Sequence, residues 1–186
     1  MVKRMLGEIE WPREFILELR VEEYRLVQII DEIGRSRKGG ITDVCWRMVY
    51  YAKQVLERHP ISIVEIGGGV GQFYAVMRAL GYTGDYYISD LPSVMLFQNA
   101  YLRAVHYETG LHTSQVLHFD FCVSFYALGE FDDELKEWYM EMVVSKCPHG
   151  FALWNPHSGA SAEVPFECTI KDEYPLLNPG NKQLEW

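Results

Sequence analysis

The run Ile61-Ser62-Ile63-Val64-Glu65-Ile66 leads straight into Gly67-Gly68-Gly69-Val70-Gly71, and this junction constrains the fold more than any other stretch. Its first half is mostly apolar and β-favouring, which fits a parallel strand covered on both faces. Four glycines within five positions let the backbone turn sharply and approach a ligand closely. Phe73, Val76, Met77 and Leu80 then mark a helix over 72–80, stopped by Gly81. Strand, glycine loop and helix together predict a ligand at the turn.

The spacing of the glycines limits which ligand. A dinucleotide fingerprint, G-x-G-x-x-G, needs its third glycine where this chain has Gln72, and a P-loop needs a lysine that does not follow. What remains is an acid and then glycines at alternate positions: Glu65, Gly67, Gly69 and Gly71, with Gly68 between. This pattern resembles the first motif of Rossmann-like S-adenosylmethionine (AdoMet) methyltransferases. The resemblance implies that Glu65, Gly67, Gly68, Gly69 and Gly71 line a cofactor site. A carboxylate at the strand end suits a ligand carrying an ammonium and a sulfonium and would repel a pyrophosphate. The competing reading is an ordinary glycine-rich turn with a solvated Glu65.

A second strand, Asp85-Tyr86-Tyr87-Ile88-Ser89, ends in Asp90, which lies 19 residues beyond Gly71. One helix and one strand fill that distance. A carboxylate there can accept both hydroxyls of a ribose, so Asp90, with its neighbour Leu91, is expected on the ribose side of an adenosine ligand. NAD enzymes and methyltransferases share this feature. Asp90 can also cap the helix that follows Leu91-Pro92.

With 186 residues, 48% of them hydrophobic, the chain can bury one good core, expected as a helical extension over 1–60 and a cofactor domain over 61–186. A net charge of −9 opposes long-range attraction to nucleic acid or an anionic membrane, so neither partner is expected. Cys45, Cys122, Cys147 and Cys168 include no C-x-x-C pair, which predicts free or buried thiols and no structural metal. No apolar run has the length of a signal peptide or a bilayer span, and the expected location is cytoplasmic.

In chain order, Pro12, Phe15, Ile16, Leu19, Leu26, Val27, Ile30 and Ile33 predict a long first helix. The basic stretch Arg35-Ser36-Arg37-Lys38-Gly39-Gly40 reads as a solvated connector or as a mobile lid over an anionic ligand. Thr42 or Asp43 caps a second helix that ends at His59-Pro60. A further helix is expected over 93–107, and strands over 115–119 and 121–126, separated by Asp120. The fourth strand is expected to end at Ala127-Leu128-Gly129-Glu130, followed by a helix over 134–145 and a fifth strand over 151–155. Runs at 166–170 and 182–186 around Asn178-Pro179-Gly180 predict a terminal β-hairpin. The expected fold is therefore α/β: a doubly wound, mostly parallel seven-stranded sheet with an antiparallel C-terminal hairpin and two N-terminal helices. That hairpin is a mark of AdoMet methyltransferases.

Tyr50-Tyr51-Ala52, Ile88-Ser89-Asp90-Leu91-Pro92 and Ser124-Phe125-Tyr126-Ala127-Leu128-Gly129-Glu130-Phe131 with Trp138-Tyr139 make the chain from Ile41 onward look like the sugar O-methyltransferase group. The resemblance implies AdoMet as cofactor, a sugar or sugar nucleotide as acceptor, and an adenine-facing role for Asp120 and Phe121. In-line transfer to a hydroxyl benefits from a base. His157 is the first candidate, because its ordinary pKa lies near neutrality, and Glu130 is the second, as base or acceptor anchor. Asp132, Asp133, Glu130 and His157 are conceivable metal ligands, but acids after a strand more often serve a helix N-terminus. A non-sugar acceptor, or AdoMet binding without catalysis, are the alternatives.

Overall fold

The computed structural model describes residues 43–104, 118–155 and 166–186. The long first helix, the basic stretch at 35–40, strand residues 115–117 and His157 lie outside the described residues. The chain divides into two compact units, one of helices and one built on the sheet.

The helical unit contains α1 (Asp43–Leu56), α2 (Gln72–Ala79) and most of α3 (Pro92–Ala104). In α1, Met48, Val49, Tyr51, Ala52 and Val55 are buried at helical spacing, and α1 packs against α2. The α1 face also buries Arg47, whose guanidinium sits 5.6 Å from the Tyr51 ring. Gly71, at φ +83°, sets the entry of α2. At its other end Gly81, at φ +91°, donates to Arg78 O while Tyr82 N donates to Met77 O at 3.0 Å. This is a Schellman closure, so Gly81 stops the helix as its sequence position predicts.

The sheet unit contains β1 (Ser62–Ile66), β2 (Asp85–Ser89), β3 (Phe121–Phe125), β4 (His149–Trp154), β5 (Thr169–Asp172) and β6 (Lys182–Glu185). The strands run in the order β2-β1-β3-β4-β6-β5. The first four are parallel, and β6 is antiparallel to both β4 and β5. Continuous burial along β1 and β4 is what parallel strands covered on both faces require. A one-turn helix, α4 (Ala127–Glu130), follows β3, and α5 (Asp133–Met142) follows it, capped by the Asp132 carboxylate accepting from Leu135 N at 2.9 Å. Val64, Ile66, Cys122, Leu128, Tyr139, Ala152, Trp154 and Leu184 form the core on the α5 side.

Three expectations need correction. The strand expected over 121–126 stops at Phe125, because Tyr126 turns to φ +71° and residues 127–130 coil into α4 instead of continuing as a strand end. His118 and Phe119 are not in a strand: the Phe119 ring stacks on Tyr87 at 6.0 Å. Six strands are present among the described residues, and positions 115–117 of the strand expected over 115–119 lie outside them. The hairpin is real, but its first strand starts at Thr169, since Phe166 packs edge-on against Trp186 at 4.9 Å and serves the core.

Candidate functional site

Strand β1 has β2 on one side and β3 on the other, so the chain reverses its direction of travel across the sheet at β1. Such a switch point opens a crevice at the carboxyl ends of the two diverging strands. Gly67 sits at that place. Its φ is +70°, its N–H donates to Ser89 O at 2.8 Å, and a Cβ on it would lie 2.1 Å from the Ala127 Cβ. A Cβ on Gly68 would come within 2.5 Å of Ile88 Cγ2 and 3.0 Å of Glu65 Cδ. The loop and the first turn of α4 thus close on each other over the end of the sheet. Only glycine permits this.

Glu65 lies beneath Gly68 and is 2% exposed. Burial pushes its carboxyl up to about 7; a hydrogen bond from Tyr86 Oη at 2.8 Å opposes the rise, and the Asp90 charge adds to it. The sequence suggested a plain anion here. The structure gives a carboxyl that changes charge near neutral pH. Asp90 follows β2 directly, and its Oδ1 accepts from Leu91 N at 2.7 Å, with Leu91 exposed. Beside them, Ser89 Oγ and Tyr139 Oη are 3.0 Å apart.

Gly69 and Gly71 belong to the helical unit. Gly69, at φ +55°, has its carbonyl held by Gln98 Nε2 at 3.0 Å, and a Cβ on it would meet nothing within 4 Å. A Cβ on Gly71 would lie 3.0 Å from Leu102 Cδ1.

Asp120 and Phe121 are at the opposite edge. The Asp120 carboxylate accepts from Ile61 N at 2.8 Å, Ser62 N at 2.6 Å and Ser62 Oγ at 2.8 Å, all at the start of β1. Phe121 is a buried first residue of β3, opposite Ile63. Asp120 precedes a strand and does not end one, so the carboxyl-end argument passes from these residues to Tyr126. Glu130 is the exposed last residue of α4, the turn whose first residue abuts Gly67.

The sequence did not reveal a polar cluster at this same carboxyl edge. Tyr126 donates its phenol to Glu173 Oε1, and Glu173 Oε2 accepts from Leu177 N at 3.0 Å and Asn181 Nδ2 at 2.9 Å. Glu173 and Asn181 are buried, and they close the β5–β6 hairpin. The Asn178-Pro179-Gly180 signal located that turn but carried no hint of the carboxylate inside it. A second group lies on the α5 side, where Lys136 Nζ stands 5.7 Å from the centroid of the buried Trp154 indole. Among the described residues no three His, Cys, Asp or Glu side chains group as metal ligands, and no helix is long and apolar enough to cross a membrane.

No protein-family model matches the chain, and no curated protein matches it in sequence. Solved structures do match in fold. An O-methyltransferase family protein from Burkholderia thailandensis superposes with a TM-score of 0.53 at 11% identity, over 77% of this chain and 55% of its own. A protein from Nostoc punctiforme described as an O-methyltransferase gives 0.54 at 10% identity, over 75% and 55%. One so described from Klebsiella pneumoniae gives 0.52 at 12% identity, over 93% and 94%. The fold is that of the Rossmann-like methyltransferases. The chain spans about half the length of the first two proteins and nearly all of the third. Within the methyltransferase fold, the antiparallel pair β5–β6 beside β4 is the C-terminal hairpin expected from the sequence.

Proposed function

We propose that the chain is an AdoMet-dependent methyltransferase that moves a methyl group to a hydroxyl oxygen of a small molecule, a sugar or sugar conjugate. The observation that carries this reading is the cradle at the switch point: Gly67 and Gly68, with no room for side chains, over a buried Glu65, with Asp90 at the end of the neighbouring strand.

The residues fit that cofactor. Gly69 has open space where a Cβ would be, among the described residues, so its backbone can take a ligand in close contact. Backbone at Gly67, Gly68, Gly69 and Gly71 would hold the amino-acid portion. Glu65 would shed its proton to face the ligand's ammonium, since a carboxyl poised near neutrality ionises readily beside a cation. Asp90 would accept the ribose hydroxyls, with Leu91 alongside. When bound, AdoMet supplies a methyl group on a sulfonium, an activated donor for in-line displacement. The chain's own contribution is alignment of the acceptor and removal of its hydroxyl proton. We assign that proton to His157, with Glu130 as the second candidate or as an acceptor anchor. The adenine-facing role of Asp120 and Phe121 is not retained.

The sugar acceptor rests on the resemblance of the 88–92 and 124–131 segments to the sugar O-methyltransferase group. The net charge of −9 favours a small-molecule acceptor over a nucleic acid or membrane partner, and a cytoplasmic setting accords with Cys122, Cys147 and Cys168 carrying no disulfide among the described residues. Titration calorimetry with AdoMet and its demethylated product, with NAD as control, tests the reading. Selective binding of the first two is expected; indifference to all three would remove it. Binding without transfer to any sugar or sugar nucleotide would favour a non-sugar acceptor or a noncatalytic binder. In an active enzyme, His157→Ala should lower turnover and leave AdoMet affinity nearly unchanged.

A further inference from the structure

Lys136 lies on the first turns of α5, and its side chain is only 6% exposed. Buried ammonium groups need close anionic or hydrogen-bonding partners, because losing their hydration is costly. Lys136 has a poor one: Asp133 Oδ1 at 3.5 Å, from a side chain 82% exposed whose charge water already screens. Its other neighbour is the Trp154 ring, at 5.7 Å. Trp154 is itself 1% exposed, and its indole N–H has no hydrogen-bond partner among the described residues. Two buried donors, one of them an ammonium 5.7 Å from the ring of the other, thus have among the described residues only the exposed Asp133 carboxylate as an acceptor. Lys182, which pairs with Trp154 across the β4–β6 ladder, is by contrast committed to Asp172 at 2.7 Å.

The location gives this deficit a meaning. Trp154 is the last residue of β4, and a Cβ on Gly129 of α4 would touch its ring at 3.5 Å. The pair thus stands at the carboxyl edge of the sheet, next to the α4 turn that abuts Gly67. A single buried water would pair the indole N–H and leave the ammonium uncompensated. An anion answers both.

The geometry points to Lys136 and the Trp154 indole N–H as a subsite for an anionic group, a phosphate ester or a carboxylate, carried by the methyl acceptor. Calling the anion's carrier the acceptor rests on the proposed function; the anion site itself does not.

The experiment uses the full chain, labelled with nitrogen-15, and follows the tryptophan indole N–H resonances during titration with inorganic phosphate and, separately, acetate. The Trp154 signal is identified by its absence in Trp154→Phe. It should move saturably, and Lys136→Met, which fills the same buried space without charge, should weaken the response by about tenfold or more. Tighter phosphate binding identifies a phosphate ester as the acceptor's anion, and tighter acetate binding a carboxylate. A Trp154 signal that neither anion moves, or that moves equally in Lys136→Met, overturns the subsite. AdoMet calorimetry on the same samples separates the two ideas: wild-type protein that binds phosphate but not AdoMet would defeat the proposed function and leave the anion site standing.

Discussion

Asp120 and Glu65 sit toward opposite edges of the same parallel strands, and the fold treats them in opposite ways. At the amino edge burial works against the Asp120 charge, but donors from Ile61 and Ser62 overcome it and hold the carboxyl below its ordinary value. Toward the carboxyl edge full burial outweighs the hydrogen bond that Tyr86 donates to Glu65, and its carboxyl rises to about 7. The amino edge matches donors to acceptors and spends that match on stability. Across the carboxyl edge lie Gly67 and Gly68 with no room for a side chain, a tyrosine at positive φ and an indole N–H unpaired among the described residues. Backbone strain and unmatched polar groups of this kind collect where a ligand is to be met.

The sharpest way to break this contrast is at Gly67. Gly67→Ala adds a Cβ 2.1 Å from that of Ala127 and strains a φ of +70°, so it should cost about 4 kcal/mol from overpacking and backbone conformation together. A urea midpoint equal to that of the wild type would mean that the loop is not closed against α4.

Next in size is Glu65→Gln. A raised carboxyl pKa means that the folded state holds a proton the unfolded state gives up, so stability is fully present below the ordinary value of 4.5 and is lost as pH rises through about 7. The loss amounts to about 3 kcal/mol. Glu65→Gln should flatten that decline and be the more stable protein in alkaline buffer, while binding AdoMet less tightly. Parallel stability curves for the two proteins across this range would show that Glu65 is not held as a near-neutral carboxyl.

The glycine loop, β1, β2, α2 and the closing hairpin were legible because each depends on local rules: glycine at positive φ, apolar runs of strand length, a Schellman glycine at 81. The place of Asp90 directly after β2 was legible by distance from Gly71. What the sequence hid depended on partners far away in the chain. Asp120 looked like a strand end until its bonds to residues 61 and 62 placed it at a strand start. Glu173 and Asn181 read as hairpin loop residues, and nothing local revealed that the loop folds around a carboxylate reached by Tyr126. Lys136 falls within the helix expected over 134–145, with nothing local to mark it as buried. Its burial follows from where α5 lies on the sheet, which no periodicity encodes.

Asp90→Ala tests the functional side of the contrast at intermediate size. If Asp90 receives the ribose, AdoMet affinity should fall roughly tenfold to a hundredfold, as expected for lost hydrogen bonds to a charged acceptor. Unchanged affinity by calorimetry would take the ribose role from Asp90 and leave it as a turn residue bonded to Leu91 N.

The smallest effect is expected at the other edge. Asp120→Ala removes an acceptor shared by two backbone amides and the Ser62 hydroxyl, but water reaches the site, so the loss should be about 1 kcal/mol at neutral pH. Because the folded-state pKa is lowered, this contribution is present above the ordinary carboxylate value and disappears as pH falls through the folded value. Wild type and Asp120→Ala should therefore converge in strongly acid buffer, whereas the Glu65 effect grows toward neutrality. AdoMet affinity should be the same in both. A drop in affinity in Asp120→Ala without a matching loss of stability would mean that the amino edge also serves the ligand, and the division of labour between the two edges would have to be abandoned.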